Sequence, residues 1–200
     1  QDREASKNLL TVATWAAFAC GASFYVPLAV LMPDLLRLWI SPEFARDAGQ
    51  VGQILTLSLI GPAGYAAIAT LFRGIGKPEF VTAVMAAVAM VVLIASVLMA
   101  PALGVLGVAW AYLLGTLVWL AGLAYGWVWL YGLASLAKLA RVAGLPLLVG
   151  GCLVFLQSLV RTRWGEPGWI GLLLMGGAFA AVGTVILVVI DRLLGGASPA

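Results

Sequence analysis

The chain has 200 residues, 64% of them hydrophobic and 10% charged, with a net charge of +3 and a mean hydropathy of +1.10. Water-soluble domains are about half apolar and about a quarter charged, so this chain has too little polar surface to cover itself, which excludes a soluble nucleic-acid-binding module, a disordered tail and a disulfide scaffold. It holds no histidine, so the commonest general base and metal ligand is missing too; the composition is that of an integral membrane protein.

In chain order, Gln1-Asp2-Arg3-Glu4 is polar and lacks the basic start and cleavage site of a signal peptide. Residues 1–8 read as a cytoplasmic lead-in, and the start without methionine is what the downstream part of a longer membrane protein would show. Uncharged intervals then follow from Lys7 to Asp34, Asp47 to Arg73, Glu79 to Lys138, Arg141 to Arg161 and Glu166 to Asp191. About 20 apolar residues cross a hydrocarbon core of ~30 Å, so each interval holds one span except the third, which holds two. Pro101-Ala102-Leu103-Gly104 supplies the turn between that pair. The expectation is an all-α polytopic membrane protein whose six spans lie at roughly 9–32, 49–72, 80–100, 105–130, 143–160 and 168–190. They form one lobe over 9–192, followed by a flexible tail at 193–200. The longest outer loop falls at about 33–48 on this reading.

Seven basic residues collect on one side, Arg3, Lys7, Arg73, Lys77, Lys138, Arg141 and Arg192. Four collect on the other, Arg37, Arg46, Arg161 and Arg163. The positive-inside rule makes the first side, with both termini, cytoplasmic. Trp39, Trp164 and Trp169 are expected at the outer interface, and Trp127, Trp129 and Tyr131 at the inner one. Between Tyr131 and Val142, Leu133, Leu136, Ala137 and Ala140 recur at spacings of three and four, opposite Lys138 and Arg141. That pattern suits a short amphipathic helix on the cytoplasmic surface. Cys20 and Cys152 read as small buried thiols.

Within those boundaries no span contains an ionisable side chain. Such residues usually mark proton relays and ion paths, so no catalytic residue, cofactor or metal ligand is expected. Neutral polar residues, among them Thr14, Ser23, Thr56, Ser58, Thr116 and Ser158, are expected to hydrogen-bond between helices. Gln53 and Gln157 carry amides too polar to face lipid, so they either bridge helices or line a wet cavity. Pro27 and the pair Gly61-Pro62 lie inside spans, where proline removes a backbone bond and kinks the helix. The kinks are candidate hinges, expected to face the interior beside Tyr25 and Gln53 because the freed carbonyls need partners. Small residues four apart, Ala111/Gly115, Gly122/Gly126 and Gly176/Ala180, predict close helix packing. Arg73-Gly74-Ile75-Gly76-Lys77-Pro78 lacks the spacing of a phosphate loop and reads as a helix cap, a tight turn and a proline-led helix start.

Three stretches in order carry a family resemblance. Leu35-Leu36-Arg37-Leu38-Trp39-Ile40-Ser41-Pro42-Glu43-Phe44 ends the first span. Phe72-Arg73-Gly74-Ile75-Gly76-Lys77-Pro78 joins the second and third. Met99-Ala100-Pro101-Ala102-Leu103-Gly104-Val105-Leu106-Gly107-Val108-Ala109-Trp110 joins the third and fourth. Over about residues 9–140 the set resembles the C-terminal half of polysaccharide flippases, within the multidrug/oligosaccharidyl-lipid/polysaccharide exporter superfamily. The resemblance implies the second six-helix lobe of a two-lobed transporter in the bacterial inner membrane. Its partners would be a polyprenyl-diphosphate-linked saccharide, the membrane lipids and an upstream lobe of the same protein. Arg73, Lys77, Gln53 and Tyr25 are then the candidate substrate-binding residues, and Pro27, Gly61 and Pro62 the hinge. The chain departs from those flippases in holding no cation inside a span. Competing readings are a drug/cation antiporter of the same superfamily, which needs a titratable acid in the upstream lobe, and a membrane enzyme of glycan assembly, which needs a large outer loop. A structural membrane subunit is a further alternative.

Overall fold

The computed structural model describes residues 2–164 and 168–193. It consists of seven helices, with no strand among the described residues: α1 (Asp2–Trp39), α2 (Pro42–Ser58), α3 (Ile60–Gly74), α4 (Pro78–Leu103), α5 (Val105–Tyr131), α6 (Ser135–Trp164) and α7 (Trp169–Leu193). Together α2 and α3 form one span, so six stretches are long and apolar enough to cross a membrane. The protein is an all-α, polytopic membrane protein. Short connections make successive spans antiparallel. The tail at 194–200, the loop position Gly165, and the side chains of Arg3, Arg161, Arg163 and Trp164 lie outside the described residues.

Several boundaries differ from the sequence reading. The expected outer loop at 33–48 is almost wholly helical, because α1 runs on to Trp39 and α2 starts at Pro42. A local stop signal makes so tight a turn possible. Ser41 is the N-cap, its hydroxyl accepting from the Phe44 amide at 3.2 Å, and Pro42 opens the helix where no amide proton is required. Pro101 does not end α4; it sits inside the last turn, and the reversal is made at Gly104, whose φ of +58° favours glycine.

The connector after Tyr131 is not a separate surface helix. Gly132 turns the chain, and buried Ser135 bonds the Gly132 carbonyl at 2.6 Å and the Trp127 carbonyl at 3.3 Å, tying the end of α5 to the start of α6. From there α6 runs unbroken. Its buried stripe is Ser135, Leu139, Val142, Pro146, Gly150, Leu153 and Gln157, spaced three and four apart, whereas Leu133 and Leu136 are exposed. The apolar spacing had selected the wrong face.

Helix α1 is central and packs against α2, α3, α6 and α7, while α5 joins α2, α3, α4 and α6. The expected small-residue seams are present. Gly115 faces Val92, Gly122 faces Val84 and Tyr65, Gly126 faces Ile68, and Gly176 faces Leu31. The main apolar core joins Leu10 and Phe18 of α1 to Tyr65, Ile68 and Phe72 of α3, Leu123 and Trp127 of α5 and Leu139 of α6. Trp127 therefore belongs to the core and not to an interfacial belt, since it is 1% exposed, whereas Trp39, Trp129 and Trp169 are exposed. Both cysteines are exposed rather than buried. Helix α4 leaves Met90, Leu93, Val97 and Leu98 uncovered on its outer face.

Candidate functional site

The proline positions organise the bundle. Proline at 62 has no amide proton for the carbonyl four residues back, that of Ser58. Thr116 of α5 takes up this orphan, its hydroxyl donating to the Ser58 oxygen at 2.9 Å in a buried setting. Leu59 keeps helical angles (φ −71°, ψ −16°), and its carbonyl still accepts from Ala63 at 3.2 Å, so the break is a kink and not a loop. Gly61 makes the joint possible: a Cβ there would lie 2.8 Å from Thr116 Cγ2 and 3.1 Å from Thr116 Cα. At this joint Gly61 is buried against α5.

At the second expected hinge, Pro27 is fully buried in α1 without interrupting it. Gln157 of α6, 0% exposed, donates from Nε2 to the Pro27 carbonyl at 3.4 Å, while its Oε1 and the nearby-turn hydroxyl of Ser23 are buried without a protein partner. Gln157 thus bridges helices. Gln53 is half-buried on α2, and Tyr25 is half-buried on α1, where its ring meets Phe24 edge-on at 5.6 Å. Neither is brought against Arg73 or Lys77. The four candidate binding residues therefore do not converge on one site within this chain.

Arg73 and Lys77 do share a place, the turn between α3 and α4. The turn is a Schellman cap: Gly76 has φ +73°, its amide donates to the Arg73 carbonyl at 3.2 Å, and the Lys77 amide donates to the Phe72 carbonyl at 2.8 Å. Pro78 then opens α4. Both cations are exposed. The Lys77 ammonium lies 4.2 Å from the centre of the Trp129 ring, a cation–π contact that fixes its position, and Trp129 in turn packs on Phe72. The pair is a small basic corner at the end of the bundle that also holds the start of α1.

Next to that corner lies an apolar groove of about 580 Å³ between the first half of α1 and the second half of α3, lined on α1 by Leu9, Ala13 and Ala17 and on α3 by Ala66, Thr70 and Gly74.

Sequence reasoning missed several features. Asp34, 3% exposed, lies within α1 because the helix continues past the expected span end, with Arg37 Nη2 at 4.0 Å from its Oδ1. The neutral polar side chains mostly do not bond between helices as expected. Thr11, Thr56, Thr70 and Thr184 donate to the carbonyl four residues back, and Ser58 and Ser158 to the one three back. Thr116, Gln157 and Ser135 do bond to another helix; of these Thr116 takes up the carbonyl freed by a proline, whereas Gln157 bonds the carbonyl of Pro27 and not that of Ser23, the one Pro27 frees. Pro33 and Pro146 also lie inside helices. Among the described residues no group of acidic, cysteine or histidine side chains could hold a metal ion. No family model, curated protein or solved structure matches the chain.

Proposed function

We propose that the chain is one lobe of an alternating-access transporter that moves a polyprenyl-diphosphate-linked saccharide across the bacterial inner membrane. Transport, not catalysis, is its role. In this reading both termini, the turn at 73–79 and the start of α6 face the cytoplasm, and an upstream lobe of the same protein completes the pathway. The observation that carries the reading is the kink at Leu59. It separates α3, a rod of 15 residues, from α2, and α3 ends at the basic corner. A bend there swings Arg73 and Lys77 relative to the rest of the lobe, and the Thr116–Ser58 bond is a contact that such a bend must make or break.

A diphosphate arriving from the inner leaflet meets the basic corner first. Arg73 offers a planar fork to phosphate oxygens and Lys77 a point charge. The test is charge-preserving substitution in the full-length protein, reconstituted in vesicles with a labelled lipid-linked saccharide. Arg73→Lys should insert normally and flip at least five-fold more slowly. Full activity of Arg73→Lys, together with misinsertion of Arg73→Ala, would reduce the residue to a topology signal.

The antiporter reading calls for a carboxylate in the upstream lobe, and this lobe adds one of its own, the buried Asp34. Asp34→Asn separates the two. Loss of cation-coupled drug export with no effect on saccharide flipping would favour the antiporter.

A further inference from the structure

Helix α2 is left uncovered along two opposite edges. On one flank α1 packs against Gly49 and Gly52, where a Cβ would stand 3.2 Å from Pro33 Cβ and 2.6 Å from Met32 Cγ. On the other, α5 meets the last turn through Thr116. Arg46, Gln50 and Gln53, spaced four and three apart, share one free edge, and Phe44, Val51, Leu55 and Leu59 share the other. At 3.6 residues per turn the two sets point about 170° apart. Arg46 and Gln50 are exposed and Gln53 is half-buried, while Phe44, Leu55 and Leu59 are exposed.

Depth does not explain this contrast. Gln53 lies twenty residues before Arg73, about 30 Å along α3 and the end of α2, so the polar edge runs outward from the hydrocarbon boundary. Phe44 nevertheless sits two residues from Arg46, and Val51 lies between Gln50 and Gln53. Apolar and polar side chains therefore occupy the same levels, and direction separates them. One edge suits hydrocarbon and the other suits water.

The polar edge also differs from the basic corner at the far end of the same span. Glu43 and Asp47 flank Arg46, with Asp47 Oδ1 at 3.7 Å from Arg46 Nε, so this stretch has no net positive charge and does not select phosphate. The amides of Gln50 and Gln53 bond to no other described residue. Each offers two donors and an acceptor oxygen, which matches a sugar hydroxyl that both donates and accepts.

We infer that this edge of α2 lines an aqueous cleft open at the end of the bundle opposite the basic corner, and that Arg46, Gln50 and Gln53 hold the neutral saccharide of the substrate there. The saccharide assignment rests on the flippase reading; the cleft does not.

The experiment uses the full-length protein freed of its native cysteines, in intact cells. Single cysteines enter by Arg46→Cys, Gln50→Cys and Gln53→Cys on one edge, and by Phe44→Cys, Val51→Cys and Leu55→Cys on the other. An impermeant thiosulfonate reagent should modify the first set at least five-fold faster than the second. In vesicles, the saccharide lipid of the flipping assay should slow modification at positions 50 and 53 at least three-fold, and polyprenyl diphosphate without sugar should not. Gln50→Ala combined with Gln53→Ala should raise the half-saturating concentration of saccharide lipid at least five-fold and keep the wild-type unfolding midpoint. Equal rates on both edges overturn the cleft, as does a polar edge that does not react because the upstream lobe covers it. Protection by the sugarless carrier, protection by neither lipid, or unchanged half-saturation in the double variant overturns the saccharide assignment. A protected polar edge in a protein that does not flip saccharide lipid overturns the flippase reading and leaves the site standing.

Discussion

Replacing Thr116 by valine should reveal how the broken second span is held. Valine keeps almost the same volume and removes only the hydroxyl that donates to Ser58 at 2.9 Å. The other acceptor within reach, the Tyr112 carbonyl at 3.4 Å, belongs to the same helix and contributes little to the joint. Hydrogen bonds between transmembrane helices average about 0.6 kcal/mol and reach about 1.7. This one belongs in the upper part of that range, because Pro62 has removed the helical donor that would otherwise serve the Ser58 carbonyl. The expected loss for Thr116→Val is therefore about 1–1.5 kcal/mol. The sharper statement concerns the pair. Pro62→Ala returns an amide proton within reach of that carbonyl, so in the Pro62→Ala background Thr116→Val should cost no more than about 0.5 kcal/mol. The coupling, about 1 kcal/mol, exceeds the 0.3–0.5 kcal/mol scatter of independent sites. Steric trapping of the full-length protein in bicelles measures all four corners of the cycle. Additivity within about 0.3 kcal/mol would show that Thr116 does not compensate for the proline.

The helix joints make further predictions. Gly64→Ala should destabilise by about 1–3 kcal/mol through its clash with Phe18, and Phe18→Leu in the same chain should recover most of that loss in the same unfolding assay. Gln157→Leu removes a bond of 3.4 Å together with a buried, unpartnered carbonyl oxygen, so it should change stability by less than about 1 kcal/mol; a larger loss would mean that the amide holds the α1 kink firmly. For topology, single cysteines at Ser41 and Glu79, with Cys20 and Cys152 replaced, should label from opposite sides of the membrane, Ser41 with an impermeant reagent from outside. Outside labelling of Glu79 would invert the orientation.

Span number was legible because charge is excluded from the membrane interior, and the uncharged intervals were long enough to count. Span ends were not, because nothing in composition separates a helix continuing past the hydrocarbon from a loop. Thus α1 carries Asp34 and Arg37 inside a helix that the charge pattern had ended at residue 32. Face assignment failed in α6 for a related reason. In a chain where most residues are apolar, hydrophobic spacing no longer distinguishes the buried side, and the stripe that packs inward includes Ser135, Pro146, Gly150 and Gln157. Small residues were the better guide there, as Gly115, Gly122 and Gly126 show in α5.

The prolines show how far sequence can carry a site. Position 62 identifies Ser58 as the carbonyl that loses its donor, and membrane burial requires that some group replace it. Which group does so depends on helix register across the bundle, and that placed Thr116 of α5, 58 positions from Ser58 in sequence, at the joint. The same reasoning explains why Arg73 and Lys77 came together while Gln53 and Tyr25 did not join them. The first two lie on one local cap fixed by Gly76 and Pro78, so their proximity is a property of a six-residue segment. The other two needed α1 and α2 to present particular faces toward α3, and α1 turns Phe18 there instead.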